Sequence, residues 1–316
     1  MKLIQTIDLS KTYTKFNPPS PSFRKWGLKG GFVYALKSLN LNIEKGEIFG
    51  FLGPNGAGKS TTIKLILDII RPTSGKAFLF DIDVSNPESR RRVGYLPENP
   101  SFYDYLTAEE LLWFAGRIHK MDDDTIARKT GELLELLDLT EAKSTPLRKY
   151  SKGMVQRAGL AHSLINNPDL LILDEPTSGL DPVGRRKVAD LLLDLKKQGK
   201  TIFFSSHILH DVETICDKIG IIVEGELRFY GKILDVLHQS FQDFEVVVQN
   251  ISDEILKEIK DKNIDCHKEG NTARLRVTET KLWQLIEFIK SKNLSLFAIE
   301  PRRRTLEGLF LELIKK

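Results

Sequence analysis

The sequence predicts an α/β protein of two domains, a phosphate-binding core on a parallel sheet followed by a smaller α+β domain. Three observations carry this prediction. Gly53-Pro54-Asn55-Gly56-Ala57-Gly58-Lys59-Ser60 fits G-x-x-x-x-G-K-[ST] between an apolar run and a helical pattern. Leu170-Leu171-Ile172-Leu173 is a second apolar run, and it ends on Asp174-Glu175. After about Gln239 the pattern changes to short alternating strands separated by amphipathic segments. A chain of 316 residues also exceeds what one core ordinarily serves.

Composition narrows the class. With 41% hydrophobic and 28% charged residues the chain reads as a soluble globular protein. No apolar run approaches the roughly 18 residues of a membrane span. Met1-Lys2-Leu3-Ile4-Gln5-Thr6-Ile7-Asp8 reaches an acidic residue too early for a signal peptide. Cys216 and Cys266 lack metal-ligand spacing and suit a reducing cytosol. A formal charge of +4 is mild; it permits contact with an anionic membrane surface and does not imply nucleic-acid binding. A cytoplasmic protein is expected.

The elements follow in order. Tyr13 is an aromatic residue ahead of an insertion that ends near Val33, with Tyr34 just beyond. Inside that insertion Asn17-Pro18-Pro19-Ser20-Pro21 cannot form regular structure and reads as an exposed loop. Glu47 to Leu52 reads as a buried strand, and Ser60 to Ile70 as the helix after the loop. Between them, Gly53 to Gly58 can turn successive backbone N–H groups inward, since glycine accepts the dihedral angles this needs. The helix N-terminus adds partial positive charge and Lys59 a full one, which suits phosphate. The Ser60 hydroxyl, with Thr61 beside it, is placed to ligate Mg²⁺. A glycine-rich turn with an incidental lysine is the other reading, and the flanking strand and helix argue against it. The chain is expected to bind a nucleoside triphosphate.

Asn99 to Lys149 is mostly helical by pattern. Thr107-Ala108-Glu109-Glu110 looks like a capping box, and a second helix fits Thr125 to Leu139. Ser151 suits the N-cap of a third. Leu170 to Leu173 then reads as a strand whose acidic end lies where ligands collect in parallel sheets, beyond the carboxyl ends of strands. An unpaired carboxylate pair there is costly without a cation. Asp174 is therefore expected to hold the Mg²⁺ shell and Glu175 to polarise an attacking water. A strand followed by a solvated acidic turn is the bland alternative. Asp181-Pro182 suits a helix start. Thr201-Ile202-Phe203-Phe204 is a further apolar strand, and His207 follows it near the expected terminal phosphate.

Beyond Gln239, Phe244 to Val248, Ala273 to Val277 and Leu294 to Ile299 read as strands. Asp253 to Lys262, Lys281 to Lys292 and Leu306 to Ile314 read as helices, and Gly270-Asn271 as a hairpin turn. The order β-α-β-β-α-β fits a ferredoxin-like fold. Arg302-Arg303-Arg304 reads as a solvated run, with phosphate or lipid contact as the lesser reading.

Tyr150-Ser151-Lys152-Gly153-Met154-Val155-Gln156-Arg157 resembles the signature motif of ATP-binding cassette (ABC) ATPases, usually written L-S-G-G-Q. Ser178-Gly179-Leu180-Asp181 resembles the D-loop of that family, His207 its switch histidine and Tyr13 its adenine-stacking aromatic. Val93-Gly94-Tyr95-Leu96-Pro97-Glu98-Asn99 aligns with its Q-loop, placing Glu98 where glutamine is usual; Lys152 and Met154 are further departures. The resemblance implies a P-loop NTPase ABC ATPase core with antiparallel β and helical subdomains over residues 1–238, the helical part at about 99–165. Residues 239–316 resemble the accessory domain of type 2 ABC exporter ATPases.

The resemblance further implies ATP and Mg²⁺ as cofactors and a homodimer closing on two nucleotides. Ser151 and Gly153 of one subunit would meet the γ-phosphate held by the other, and Asp181 the subunit boundary. Glu98 would still serve the metal and the attacking water, with altered metal dependence. A separate polytopic permease is implied, with this chain peripheral on the inner face of the cell membrane and no nucleic acid expected. Phe102, Tyr103 and Tyr105 could line the groove for that partner or pack in the core. Phe23-Arg24-Lys25-Trp26-Gly27-Leu28-Lys29 reads as loop decoration or as a contact with lipid headgroups or the permease. The competing class is a soluble ABC ATPase acting on a protein or nucleic-acid complex, and the single cassette without long coiled-coil arms speaks against it. A binding-only module is disfavoured by Glu175.

Overall fold

The protein is described by a computed structural model over residues 1–15, 31–237, 243–262, 264–302 and 305–314. The Pro-rich stretch 17–21, the aromatic and basic stretch 23–29 and Arg303-Arg304 lie outside the described residues. The chain divides into two units, Met1–Ile233 and Leu234–Lys316. The first begins with β1 (Lys2–Lys15), β2 (Gly31–Glu44), β3 (Ile48–Leu52), α1 (Lys59–Ile66), β4 (Ser74–Leu79), β5 (Ile82–Asp83) and β6 (Val93–Leu96). It continues through α2 (Ala108–Ile118), α3 (Asp123–Leu136), α4 (Lys152–Leu164), β7 (Leu170–Asp174), α5 (Pro182–Lys197), β8 (Thr201–Ser206), α6 (Leu209–Ile215), β9 (Lys218–Val223) and β10 (Glu226–Lys232).

The apolar runs foreseen as strands make the centre of a sheet ordered β10-β9-β3-β8-β7-β6. Strands β9, β3, β8, β7 and β6 are parallel, and β10 closes the edge antiparallel to β9. Every residue of β3, β7 and β8 is buried, which is why their interiors are continuously apolar rather than alternating, with polar residues confined to strand ends. Phe49 stacks on Phe203 at 5.8 Å, and Phe51 packs against the same ring at 5.5 Å. Each fully buried ring contributes about 1.5–3 kcal/mol of transfer free energy. Because the parallel strands run in register, Leu52 lies beside Ser206, Asp174 beside Ser205 and Leu96 beside Leu173. Their carboxyl ends therefore share one rim, and the phosphate loop, Glu98, Glu175 and His207 all leave from it.

A second, antiparallel sheet, β2-β1-β4-β5, shares a core with the first. Its buried Leu3, Ile4, Leu36, Leu39, Leu41 and Ile43 pack with Phe49, Phe51 and Phe203. Helix α1 is shorter than its apolar pattern suggests. Asp68 takes φ 53°, and the N–H groups of Asp68 and Ile69 return to Leu65 and Lys64, which ends the helix at Ile66. Helix α2 has the expected capping box: Thr107 Oγ1 accepts from Glu110 N–H, and the Glu110 carboxylate accepts from Thr107 N–H. Helix α3 starts earlier than foreseen, because Asp122 caps it through Thr125 N–H.

In the second unit α7 (Ile233–Leu237) leads to β11 (Asp243–Gln249), α8 (Asp253–Asp261), β12 (Asp265–Glu269), β13 (Thr272–Thr278), α9 (Glu279–Ser291), β14 (Ser295–Arg302) and α10 (Leu306–Ile314). The antiparallel order β12-β13-β11-β14 and the β-α-β-β-α-β sequence are ferredoxin-like. Gly270, at φ 60°, turns the β12–β13 hairpin where Glu269 pairs with Thr272. Val246, Val248, Leu275 and Val277 of the sheet pack with Leu282, Leu285 and Ile289 of α9 in a core of their own.

Candidate functional site

The loop after β3 takes the shape its glycines permit. Gly56 has φ 80° and Gly58 φ 111°, and a Cβ on Gly58 would lie 2.4 Å from the Ala35 carbonyl oxygen. No larger residue fits there. The loop is braced from outside: Gly225 N–H donates to the Ala57 carbonyl at 2.9 Å, and Lys37 N–H to the Gly225 carbonyl at 2.8 Å. Above it opens a cavity of about 320 Å³ lined by Pro54, Asn55, Gly56, Gly58, Lys59, Ser60, Thr61, Ala35, Glu98 and Glu175. Backbone N–H groups, a helix N-terminus and a lysine thus face two carboxylates across a space of ligand size.

Lys59 is 6% exposed, and its Nζ donates to the Gly53 carbonyl at 2.7 Å while lying 3.4 Å from Glu175 Oε1. The other Glu175 oxygen is 2.8 Å from His207 Nδ1. The Glu175 backbone N–H donates to Ser205 Oγ at 3.1 Å, and Ser205 Oγ donates to Asp174 Oδ1 at 2.5 Å. The expectation of an unpaired carboxylate pair is therefore corrected. Both acids are buried, at 2% and 5% exposure, and both have protein partners, supplied by polar groups at the carboxyl ends of β3 and β8. Burial together with the Asp174 charge pushes the neighbouring Tyr95 hydroxyl up to about 12, so it stays protonated.

An oxygen-only donor set, the Ser60 hydroxyl with the Asp174 and Glu98 carboxylates, fits Mg²⁺, which takes one or two carboxylates and completes its shell with water and substrate phosphates. Asp174 has one carboxylate oxygen engaged by Ser205, which orients it for such a role.

Other sequence-predicted residues lie away from this cavity. Ser151 caps α4 by accepting from Met154 N–H at 3.2 Å and is exposed, and Gly153 lies against Leu180 and the Gly179 carbonyl. The Lys152 stem runs along Gly179, so its aliphatic part is held on the Ser178–Asp181 segment. Asp181 caps α5 through Gly184 N–H at 2.8 Å. Tyr13 and Tyr34, 42% and 59% exposed on β1 and β2, are both outside the cavity lining; Ala35, next to Tyr34, is in it. Phe102 packs on His162 at 5.4 Å, whereas Tyr103 and Tyr105 are exposed with their rings 5.7 Å apart. His210 is exposed. Sequence reading missed Ser205 and Ala35. The polar Ser205-Ser206 ending of an otherwise apolar strand was the available signal for the first; Ala35 carried none.

Comparison with known proteins identifies the family of this chain. A family model described as "ABC transporter" matches residues 36–178. The bacitracin transport ATP-binding protein BcrA of Bacillus licheniformis is 34% identical over 321 residues, covering 99% of this chain and 97% of that one. An uncharacterised ABC transporter ATP-binding protein of Synechocystis, sll0415, is 39% identical over 295 residues, 90% of this chain and 79% of its own. Among solved structures, the dimeric post-hydrolysis state of the ATP-binding cassette MJ0796 with ADP and Pi superposes with a TM-score of 0.64. It is 26% identical and covers 73% of this chain and 98% of that one.

Proposed function

Since the chain belongs to the ATP-binding subunits of ABC transporters, an ATPase family, we propose that it powers an exporter, closing as a homodimer on two ATP molecules to drive a separate polytopic permease. The observation that supports hydrolysis is the buried Glu175 carboxylate, held between Lys59 and His207 at the mouth of the phosphate loop. In this reading Gly53 to Thr61 cradle the phosphates, with Lys59 on the β- and γ-phosphates. Ser60 and Asp174, with Glu98, hold Mg²⁺, which when bound neutralises charge on the phosphate oxygens. Glu175 accepts the proton of the attacking water and His207 fixes its carboxylate, a two-residue relay for in-line attack. Ser151, Gly153 and Asp181, which are outside the cavity lining of their own chain, serve the partner's nucleotide.

Export rather than another use of ATP is supported by end-to-end similarity to the bacitracin transport protein, second unit included. Among the described residues no helix is long and apolar enough to cross a membrane, so a transported substrate needs a path through another subunit. The exposed Tyr103 and Tyr105 ahead of α2, with Trp113, Phe114 and Ile118 on it, support an apolar contact with that partner; in this reading the chain sits on the inner side of the cell membrane. Affinity purification of the chain from detergent-solubilised membranes of its host tests the reading. A stoichiometric polytopic protein is expected; a soluble complex without one would overturn the exporter assignment and leave the ATPase intact.

A further inference from the structure

Glu175 has φ 52°, a left-handed conformation that a residue with a Cβ keeps only when its surroundings impose it. Pro176 follows and narrows its backbone freedom further. The constraint comes from three sides. Glu175 N–H donates to Ser205 Oγ, and the Glu175 carbonyl accepts from Ser178 N–H at 3.0 Å. The same carbonyl accepts from Gln156 Nε2 at 3.1 Å, and the Pro176 carbonyl accepts from that amide at 3.3 Å. Gln156 is 1% exposed, so its amide has left water and spends its donors on two successive carbonyls of this turn. It sits on α4, five residues after the Ser151 cap and 19 residues from Glu175 in sequence.

We infer that Gln156 is a positioning residue for ATP hydrolysis: it holds the Glu175 peptide in its strained conformation and ties the base to the helix that starts at Ser151. The strain turns the carboxylate toward Lys59 and His207, and Gln156 is the buried side chain that maintains it from α4. A shift of α4 then moves the Glu175 peptide with it. This rests on the reading of Glu175 as the base.

Gln156→Met preserves length and much of the volume while removing both donors. Its kcat for ATP hydrolysis is expected to fall about 10- to 100-fold, the loss that follows from ångström-scale misplacement of a reacting group. Its KM for ATP should stay within about twofold, because Lys59 and the loop are untouched. Gln156→Glu adds a pH readout: a protonated carboxyl donates one hydrogen bond and an ionised one none, so its kcat relative to wild type should rise as pH falls. Glu175→Gln is assayed alongside and should lose turnover. Wild-type kcat in Gln156→Met with a dead Glu175→Gln overturns the positioning role alone. Wild-type turnover in Glu175→Gln overturns the base assignment beneath it. If Gln156→Met does not fold, the Gln156→Glu profile decides, and a ratio flat with pH overturns the proposal.

Discussion

Glu98 stands where the family resemblance leads one to expect glutamine. It lines the same cavity as Ser60, and a glutamine there would offer both a donor and an acceptor. A carboxylate only accepts, adds negative charge beside the phosphates and suits a hard cation. Glu98→Gln is therefore expected to raise the Mg²⁺ concentration for half-maximal ATPase by roughly tenfold, the low end of the loss seen when one metal-supporting group is removed. An unchanged Mg²⁺ titration at unchanged rate would remove Glu98 from the metal's surroundings. The contiguous part of the site was legible, because Gly53 to Thr61 and Asp174-Glu175 are fixed by local chain geometry. The contacts of Ser205 with both acids were not. They join groups 30 and 31 residues apart, and only the parallel register of β7 and β8 creates them.

Among the elements α4 has several contacts to explain, and sequence showed only its start. It carries Ser151 at its cap, Gln156 under Glu175 and His162 against Phe102. Burial, with His119 nearby, holds the His162 imidazole below the ordinary histidine range. The folded chain thus refuses a proton that the unfolded chain takes near pH 6.5. This contribution to stability is therefore complete above about pH 6.5 and is lost as pH falls below it. Denaturant unfolding at mildly acidic and neutral pH should show that loss in the wild type, and His162→Gln should reduce it. An identical acid loss in the variant would assign the titration elsewhere. Capping signals made α2 and α5 readable from Thr107-Glu110 and Asp181-Pro182, since caps are written within four residues. The end of α1 was misplaced because the apolar residues Ile69 and Ile70 continue a pattern that the backbone at Asp68 has already left. The antiparallel pairing of β1 with β2 and β4 was available only through family resemblance.

In the whole molecule, Ser151, Gly153 and Asp181 lie outside the lining of the chain's own phosphate-loop cavity. Ser151 is exposed at the start of α4 while Gly153 is half-buried, and the proposed function makes this helix N-terminus a second phosphate-binding end, remote in sequence from the first. In the proposed homodimer each would complete the partner's site, so activity per chain should rise with chain concentration. Testing this through Ser151 needs care, because its hydroxyl also caps α4. Removing a cap with alanine costs about 0.5–2 kcal/mol, whereas glycine at the same position costs only a few tenths. Ser151→Gly therefore separates the two roles. It should leave thermal stability and ATP binding by the isolated chain nearly unchanged, yet lower ATPase turnover. In a Glu175→Gln background it should also abolish the ATP-bound dimer that size-exclusion chromatography would otherwise detect. If the Ser151→Gly, Glu175→Gln chain still dimerises with ATP as fully as Glu175→Gln alone, the hydroxyl serves only its helix, and closure must depend on Gly153, Asp181 or the helix end itself.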